Sequence, residues 1–335
     1  MLRSTSRRLA AAAPEGVPLA RDLVRAGLGR VFGPPPFDTR RDPGDPGLFG
    51  PGSASWRVVA EPAAIAGGVR ALLVQLLHPL AMAGVADHSQ FRDDPLGRLQ
   101  RTSGYVTTTT FGSTREALAV AGVVRRTHAQ VGGVAPDGRP YAADDPHLLA
   151  WVSIALTSSF LATDRAYAPR PVDEPAADAF VAEQSRAAAL LDPRLDLDAL
   201  EADADARTAL RRGELSLPML DEGLLPRTEV QLRRRLADYR PELRLDDTGR
   251  QAVRFLLWPR LPPPIKAGYL PLVAGALATL EPEQRRIAGL SASRVAVWPL
   301  AAQARATLTT LRVTTGVSPS ARAAADRAAT EAGVA

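Results

Sequence analysis

Apolar residues recur at spacings of three and four along most of this 335-residue chain, and strand-like alternation of apolar and polar residues is absent. The first spacing lines one face of an α-helix, whereas alternation is the pattern of a half-buried strand. Ala, Leu and Arg, which favour helix, are among the commonest residues. We therefore predict an all-α protein that folds as a single large helical domain, without a nucleotide-binding sheet.

Capping signals locate individual helices. Ser113 and Glu116 have the spacing of a capping box, which predicts a helix over 114–131 that ends before two glycines. Asp145, followed by proline, predicts the start of a helix over 146–167. The other predicted helices span 19–31, 63–77 with a continuation to 86, 95–102 or 95–105, 174–191, 227–239, 248–257, 267–280 and 282–311.

No linker is long enough to divide the chain, so the segments are expected to share one core. Residues 1–52 are predicted to be a leader, a first helix and a Pro/Gly-rich loop. Residues 53–260 form the main helical domain, and 261–315 are further helices that pack on the same core. Residues 316–335 are predicted to be a flexible tail.

Charge and composition exclude several classes of protein. The 41 cationic and 36 anionic residues nearly cancel, and no basic run is interleaved with aromatic residues, so nucleic acid is not an expected partner. The chain has no cysteine, which excludes disulfides, thiolate metal sites and iron–sulfur clusters. Any metal ion must therefore be held by His, carboxylate, Tyr or Met side chains.

Two apolar segments of the sequence share features with export signals or membrane spans. The alanine run after Arg7 and Arg8 ends at Pro14, which is short for the apolar part of an export signal, so a cytoplasmic location is expected. The segment Ile65–Ala86 is apolar but interrupted by polar residues and by Pro79, so a buried core helix is predicted rather than a transmembrane segment.

All four histidines fall between positions 78 and 147. His128 continues a stripe of residues spaced by three and four that also includes Ala117, Ala121, Val124 and Val131, so its ring is predicted to point inward. A buried imidazole needs a partner for its nitrogens. The spacing leaves two interpretations open, a core histidine bonded to a neighbouring oxygen and a metal ligand.

The helix that begins at Pro95 carries Arg98, Arg101, Thr102 and Tyr105 at offsets of three, four and seven, on one face. Two guanidinium groups and hydroxyls on one face can bind a carboxylate or a phosphate, and the same pattern is equally consistent with a solvated face paired to nearby aspartates.

The other three histidines have weaker contexts. His78 precedes Pro79 inside an apolar run, where proline kinks or restarts a helix, so it is either a cavity-wall residue or a histidine bonded to a freed carbonyl. His88 is predicted to lie in a loop, facing a pocket or water. His147 lies in the first turn of a helix and is expected to cap it or face solvent.

The motifs of several enzyme classes are missing. There is no His-Glu-x-x-His, no Glu-x-x-His and no G-x-S-x-G, so zinc hydrolases, carboxylate-bridged di-iron bundles and α/β-hydrolases lack their sequence signatures. A helical bundle with one inward histidine, apolar walls and nearby arginines does meet the requirements of a haem pocket.

Three blocks carry a resemblance to a known family. They are LLVQLLHPLAMAGVADHSQFRDDPLGRLQRT over 72–102, RRTHAQV over 125–131 and GRPYAADDPHLLAWV over 138–152. In this order they resemble the catalytic domain of the oxygenase MpaB / rubber-oxygenase (latex clearing protein) family. The resemblance implies an all-α, globin-like core that binds one b-type haem and oxidises an apolar substrate with O2.

Residue by residue, the resemblance implies that His128 is the proximal ligand of the haem iron. Arg98, Arg101 and Thr102 match the residues of the family's haem-side helix, and His78 or His88 is the implied distal donor. Latex clearing proteins have Lys at the position of Arg101 and a distal Glu upstream of this helix, which is absent between positions 70 and 102 here. The resemblance therefore does not imply that polyisoprene is the substrate.

Three hypotheses follow for the function. The first is a haem b-dependent oxygenase or oxidase that acts with O2 on a hydrophobic small molecule. The second is a non-catalytic haem-binding or gas-binding protein, and the third is a haem-free helical protein that binds a hydrophobic ligand. The sequence gives no expectation for the oligomeric state.

Overall fold

The computed structural model of the chain describes residues 33–88, 95–290 and 294–330. These ranges are predominantly helical, which confirms the all-α prediction. The predicted helix over 19–31 lies outside the described residues. The helices are α1 (Ala54–Ala60), α2 (Ala63–Gln75), α3 (Pro79–His88), α4 (Pro95–Phe111), α5 (Thr114–His128), α6 (Pro146–Tyr167), α7 (Glu174–Ala189), α8 (Leu197–Ala202), α9 (Ala204–Arg212), α10 (Pro218–Asp221), α11 (Glu229–Asp238), α12 (Asp247–Leu257), α13 (Pro263–Thr279), α14 (Pro282–Ile287), α15 (Arg294–Thr315) and α16 (Pro319–Ala329).

Two short strands interrupt the helical order. Strands β1 (Gly132–Val134) and β2 (Pro140–Ala142) form an antiparallel hairpin with Gly133 opposite Tyr141. The turn between them contains Pro136, Asp137 and Gly138, residue types that favour turns. Sequence reasoning predicted no strands, because a three-residue strand is too short to show alternation. A 3-10 turn spans Arg240–Glu242.

Helices α2 and α6 pack against each other at the centre of the domain. Trp151, Ile154 and Phe160 of α6 are buried in the main apolar cluster. Gly67 permits the close approach of the two helices, because a Cβ atom there would lie 2.5 Å from Cδ1 of Phe160. Helices α13 and α15 pack on each other and α13 packs on α2, which extends the same core towards the C-terminus.

Arg70 of α2 is buried in this core, with 2% of its surface exposed. Its guanidinium group donates hydrogen bonds to Oγ of Ser159 at 2.8 Å, to Oε1 of Gln284 at 3.0 Å and to the carbonyl oxygen of Thr279 at 3.2 Å. Burial lowers its pKa to about 10, although the nearby carboxylate of Glu281 opposes this shift. These hydrogen bonds explain how a charged residue can occupy an otherwise apolar helix.

The two predicted helix starts are confirmed. Oγ of Ser113 accepts a hydrogen bond from the backbone N–H of Glu116 at 3.2 Å, and the Glu116 carboxylate accepts one from the N–H of Ser113 at 2.8 Å. This pair is the capping box of α5. At α6, the Asp145 carboxylate accepts a hydrogen bond from the N–H of His147 at 2.7 Å, and Pro146 occupies the first helical position.

The apolar segment Ile65–Ala86, which was predicted to be a buried core helix, is divided at His78 and Pro79. Helix α2 ends at Gln75, and α3 begins at Pro79. Proline has no N–H to continue the hydrogen-bond ladder and is favourable at a first helical position, so it restarts the chain as a new helix. The predicted break is therefore confirmed, and it places His78 at a junction between two helices.

Helix α6 is long and apolar enough to cross a membrane by length and composition, and so is the bent pair α1 and α2 taken together. Within this structure 67% of the most apolar window of α6 is buried. A share of this size is typical of the central helix of a packed helical domain.

Helix α4 corrects one predicted boundary. It was expected to end near Tyr105, because the four threonines that follow weaken helix, but it runs to Phe111. Thr108, Thr109 and Thr110 are buried, and Oγ of Thr109 donates to the Tyr105 carbonyl oxygen at 2.9 Å. Tertiary burial and this local hydrogen bond outweigh the low intrinsic preference.

The C-terminal part of the chain corrects two further predictions. The helix expected over 282–311 is two helices, α14 and α15, and Gly289 after α14 has a positive φ of 69°. The flexible tail expected over 316–335 contains α16, whose Ala324 and Arg327 are buried. Nε of Arg327 donates to the carbonyl oxygen of Asp45 at 3.0 Å, so the loop before α1 holds this helix.

Candidate functional site

His128 lies at the C-terminal end of α5. Ala117 and Ala121, earlier on the same stripe, are fully buried, whereas Val124 and His128 are half-buried. The stripe predicted from spacing therefore points inward along the first half of the helix and reaches the edge of the core at His128. The helix ends here rather than at the predicted Val131, whose N–H bonds to the His128 carbonyl oxygen at 2.9 Å as the chain turns into β1.

Helices α4 and α5 contact each other and are joined by two residues. His128 and Arg98 lie almost the same number of residues from that connection, on different helices. The side chain of Arg98 is outside the described part of the structure. Arg101 and Thr102 are exposed on α4, one turn further along. The resemblance groups these residues with His128, on the helix next to it in the chain.

Tyr105 departs from this face. It is half-buried, and its hydroxyl donates to the carbonyl oxygen of Ala187 on α7 at 3.2 Å. Burial raises its pKa well above the usual value. Tyr105 thus anchors α4 to α7, while Arg101 and Thr102 are exposed.

The ring of His128 has a buried Nδ1 without a hydrogen-bond partner among the described residues. Burial lowers the pKa of the ring, and the attraction of Asp144 only partly offsets this shift. The neutral imidazole is the form that binds a metal ion. An axial ligand of haem iron needs one ring nitrogen for iron and a site for the other, and this ring is not committed to a protein oxygen through Nδ1. The residue therefore fits a haem ligand.

His88, at the end of α3, lies near the same end of α5. Its Nε2 is 3.2 Å from the carbonyl oxygen of Gly132, four residues beyond His128. Its ring packs edge-on against Tyr141, with 6.4 Å between centroids. The hydroxyl of Tyr141 donates to Asp87 at 2.6 Å, and these contacts join α3 to the β-hairpin.

His78 belongs to a different group of side chains. It is fully buried, and its Nε2 lies 3.1 Å from Oε2 of Glu242. Nε2 of His147 lies 3.0 Å from Oε1 and 3.1 Å from Oε2 of the same carboxylate. Two histidines and one glutamate therefore converge from the start of α3, the start of α6 and the 3-10 turn. We call these three residues the His-His-Glu cluster.

Opposing effects set the protonation of this cluster. Burial lowers the pKa of His78, and the hydrogen bond with Glu242 only partly restores it, so this ring is neutral near pH 7. Burial alone raises the pKa of Glu242, but hydrogen bonds from His147 and His78 outweigh it and lower the pKa overall. The cluster thus combines a carboxylate with a neutral imidazole, and both are ligand forms.

Aromatic side chains enclose the buried side of the cluster. The ring of His78 lies 5.8 Å from Trp151 and 6.3 Å from Tyr239, between centroids. The Tyr239 hydroxyl donates to the carbonyl oxygen of His147 at 2.8 Å and is 3.3 Å from its Nδ1. The solvent side is open, because 48% of the His147 side chain is exposed.

The structure separates the two predicted distal histidines. His78 precedes α3 and His88 is the last of its ten residues, which is a distance of about 15 Å along a helix. His88 approaches the end of α5, whereas His78 pairs with Glu242 and His147. Sequence reasoning gave His147 little weight and did not single out Glu242 or Tyr239. Glu242 follows a proline in an irregular turn, and no spacing connects it to a histidine 164 positions earlier.

A cavity of about 300 Å3 lies between the loop after α10 and helix α11. It is lined by Leu220, Gly223, Leu225, Pro226, Arg227, Gln231, Arg234, Arg235 and Asp238. None of the four histidines lines it, so it is separate from both histidine sites.

Comparison with known proteins gives one match. The sequence model of the family described as "ER-bound oxygenase mpaB/B'/Rubber oxygenase, catalytic domain" matches residues 56–316, which is most of the chain. The match includes all of helices α2 to α14 and every histidine. No curated protein and no solved structure matches the chain.

Proposed function

Because the chain belongs to the mpaB/rubber oxygenase catalytic-domain family, we propose that it is a haem b-dependent oxygenase with His128 as the axial ligand. The family description supports oxygenase activity. The haem and the class of substrate, a hydrophobic small molecule oxidised with O2, are the further steps of this proposal.

One observation carries the assignment of His128. Its half-buried ring has a buried, unpaired Nδ1 and no hydrogen bond to any other described residue. Nδ1 of His78 is also buried and unpaired, but Nε2 of His78, His88 and His147 each lies within hydrogen-bond distance of a protein oxygen. An unpaired buried nitrogen is costly unless a ligand satisfies the ring. Haem, when bound, supplies the redox chemistry that activates O2, which this cysteine-free chain cannot supply through thiolate or iron–sulfur centres.

Arg98, Arg101 and Thr102 are proposed to bind the haem propionates. Arg101 and Thr102 are exposed on α4, the helix that directly precedes α5 and also carries Arg98. Guanidinium groups bind carboxylates with two parallel hydrogen bonds, so this helix is suited to hold the two anionic groups at the rim of the site.

His88 is proposed as the proton donor of the site. Its Nε2 already lies against a carbonyl oxygen four residues beyond His128, which places its ring near the end of α5. A histidine that keeps its proton on Nε2 can hold or deliver it at that atom. His78 is less suited to this role, because it lies at the other end of α3, beside Glu242.

The test is a spectrum followed by an oxygen measurement. The purified full chain, supplied with hemin, is expected to show a Soret band and to bind CO after reduction. With a reductant and a set of unsaturated lipids, O2 uptake above the rate without lipid is expected, with O2-derived oxygen in the product. His128→Ala is expected to lose the band.

Three results would count against the proposal. A wild-type protein that takes up no hemin removes the haem. A haem-bound protein with a six-coordinate spectrum unchanged by CO and no O2 uptake is a haem-binding protein without turnover. A haem spectrum in His128→Ala equal to that of the wild type removes the ligand assignment.

A further inference from the structure

The His-His-Glu cluster is the strongest concentration of ligand atoms outside the proposed haem site. One ligand atom from each of His78, His147 and Glu242 lies within 4.8 Å of the other two. His78 and His147 lie 164 and 95 positions before Glu242 in the sequence, so the tertiary fold brings the three residues together. His128 is not part of it.

The distances between these atoms suit a bound metal ion. An ion with tetrahedral ligands at roughly 2.0–2.2 Å separates neighbouring ligand atoms by about 3.3–3.6 Å, and octahedral angles shorten this to about 2.8–3.1 Å. The measured separations between imidazole nitrogen and carboxylate oxygen are 3.0 and 3.1 Å. The two imidazole nitrogens lie within 4.8 Å of each other, so all three atoms are close enough to share one ion.

The chemistry of the donors selects a class of ion. Two imidazoles and one carboxylate suit Zn2+, Fe2+ and related first-row divalent ions. Ca2+ and Mg2+ prefer sets made only of oxygen atoms. Three protein ligands leave at least one coordination position open, as in sites where a metal ion binds water or substrate.

A neighbouring group holds the ring of His147 in place, whereas Nδ1 of His78 is buried without a hydrogen-bond partner among the described residues. Nδ1 of His147 faces the Tyr239 hydroxyl at 3.3 Å, which leaves Nε2 directed at Glu242. Ligating histidines commonly have such a partner on the second nitrogen. Nε1 of Trp151 donates to the carbonyl oxygen of Gln75 at 3.2 Å and fixes α6 against the end of α2, next to His78.

The backbone also holds the glutamate near the buried histidine. The N–H of Arg244 donates to the carbonyl oxygen of Leu77 at 2.8 Å, which ties the segment after Glu242 to the residue before His78. His78 has no exposed side-chain surface, whereas 48% of His147 and 32% of Glu242 is exposed. One ligand is thus rigid and buried, and the other two form a side open to solvent through which an ion can enter.

We propose that His78, His147 and Glu242 bind one divalent first-row transition-metal ion at a site separate from His128. Nothing in this site depends on haem, because its ligands come from the starts of α3 and α6 and from the 3-10 turn. The site adds a second metal centre to the proposed oxygenase.

Co2+ is the probe, because its visible absorption reports on its ligands. The full chain, treated with a chelator and dialysed, is titrated with Co2+ at neutral pH and followed by absorption and calorimetry. We expect one ion per chain with a Kd below about 10 µM. Excess Zn2+ is expected to displace the cobalt spectrum.

Two variants test the ligands. Glu242→Gln keeps the shape and removes the charge, and His147→Gln changes a half-exposed ring that the fold tolerates. Each is expected to weaken Co2+ binding by at least about tenfold. Glu283→Gln is the matched control, because Glu283 pairs with Arg240 of the same 3-10 turn but is not a ligand. Thermal unfolding of each variant confirms that it is folded.

The site is overturned if the wild type binds no Co2+ in this range, or if both ligand variants bind it as the wild type does. In that case the cluster is a hydrogen-bonded His–Glu–His group only. His128→Ala is expected to keep the cobalt site while it loses haem. Loss of both in that variant, when it is folded, would contradict two separate centres, so the outcomes for the haem and for this site are distinguishable.

Discussion

The region around His128 and the His-His-Glu cluster differ in how their imidazoles are paired. His128 is half-buried on a regular helix, and its buried Nδ1 has no partner among the described residues. His78 is fully buried, and Glu242 holds it at 3.1 Å beside His147. A group that binds the ring of His128 replaces no hydrogen bond among the described residues, whereas a metal ion bound by His78 and Glu242 would replace the hydrogen bond between them. The comparison shows that burial alone does not identify a ligand.

The largest effect is expected for haem content. His128→Ala should lower the haem-to-protein ratio by at least about tenfold, because the axial imidazole is lost. The control is His88→Ala, which removes another histidine near the end of α5. This variant should keep its haem. The ratio is measured by pyridine haemochromogen absorption. Equal haem content in the two variants would contradict the assignment of His128, rather than His88, as the haem ligand.

For the free energy of unfolding, we expect the cluster residue His78 to matter more than His128. In the presence of a chelator, His78→Ala should lower the free energy of unfolding by about 2–3 kcal/mol, because it leaves a cavity and removes a hydrogen bond from Glu242. His128→Ala in the haem-free protein should cost less than about 1 kcal/mol, since its Nδ1 has no hydrogen bond to lose. Urea unfolding measures both. A larger loss of unfolding free energy for His128→Ala than for His78→Ala would contradict this difference between the two sites.

A smaller effect is expected at the hydroxyl of Tyr239. Tyr239→Phe removes the hydrogen bond to the His147 carbonyl oxygen and the contact with Nδ1, which should cost about 1 kcal/mol. Co2+ affinity should fall by about tenfold, since the ring of His147 loses its orienting partner. Tyr269→Phe removes a similar hydroxyl, bound to the Leu256 carbonyl oxygen, and should leave Co2+ binding unchanged.

The smallest effect concerns the pKa of His128. Attraction by Asp144 raises this pKa against the larger lowering by burial, so Asp144→Asn should lower it further. The neutral ring, the ligand form, would then persist to lower pH. An NMR titration of the His128 ring protons in the haem-free protein measures the shift. Asp173→Asn, the same change at the N-cap of α7, should leave the titration as it is.

Local signals in the sequence were sufficient for much of the fold. Ser113, Glu116 and Asp145 act through hydrogen bonds to residues two or three positions away, so their spacing predicted the starts of α5 and α6. The threonines at the end of α4 were misread, because their burial against other segments decided the outcome. The buried contacts of α16 were missed for the same reason.

The two sites also differ in whether local signals in the sequence could identify them. The helical stripe of α5 marked His128 as a candidate, since its place depends on residues three and four positions before it. The His-His-Glu cluster needed the packing of α2 on α6 and the bond from Arg244 to Leu77. No period in the sequence contains that information, so Glu242 was missed.

Chemical rescue of a His128→Gly variant tests the central claim most directly. The substitution removes the ring, and added imidazole can replace it as a free ligand. We predict that His128→Gly takes up little hemin alone and regains a Soret band close to that of the wild type when imidazole is added. A variant that holds hemin as tightly as the wild type without imidazole would contradict His128 as the axial ligand.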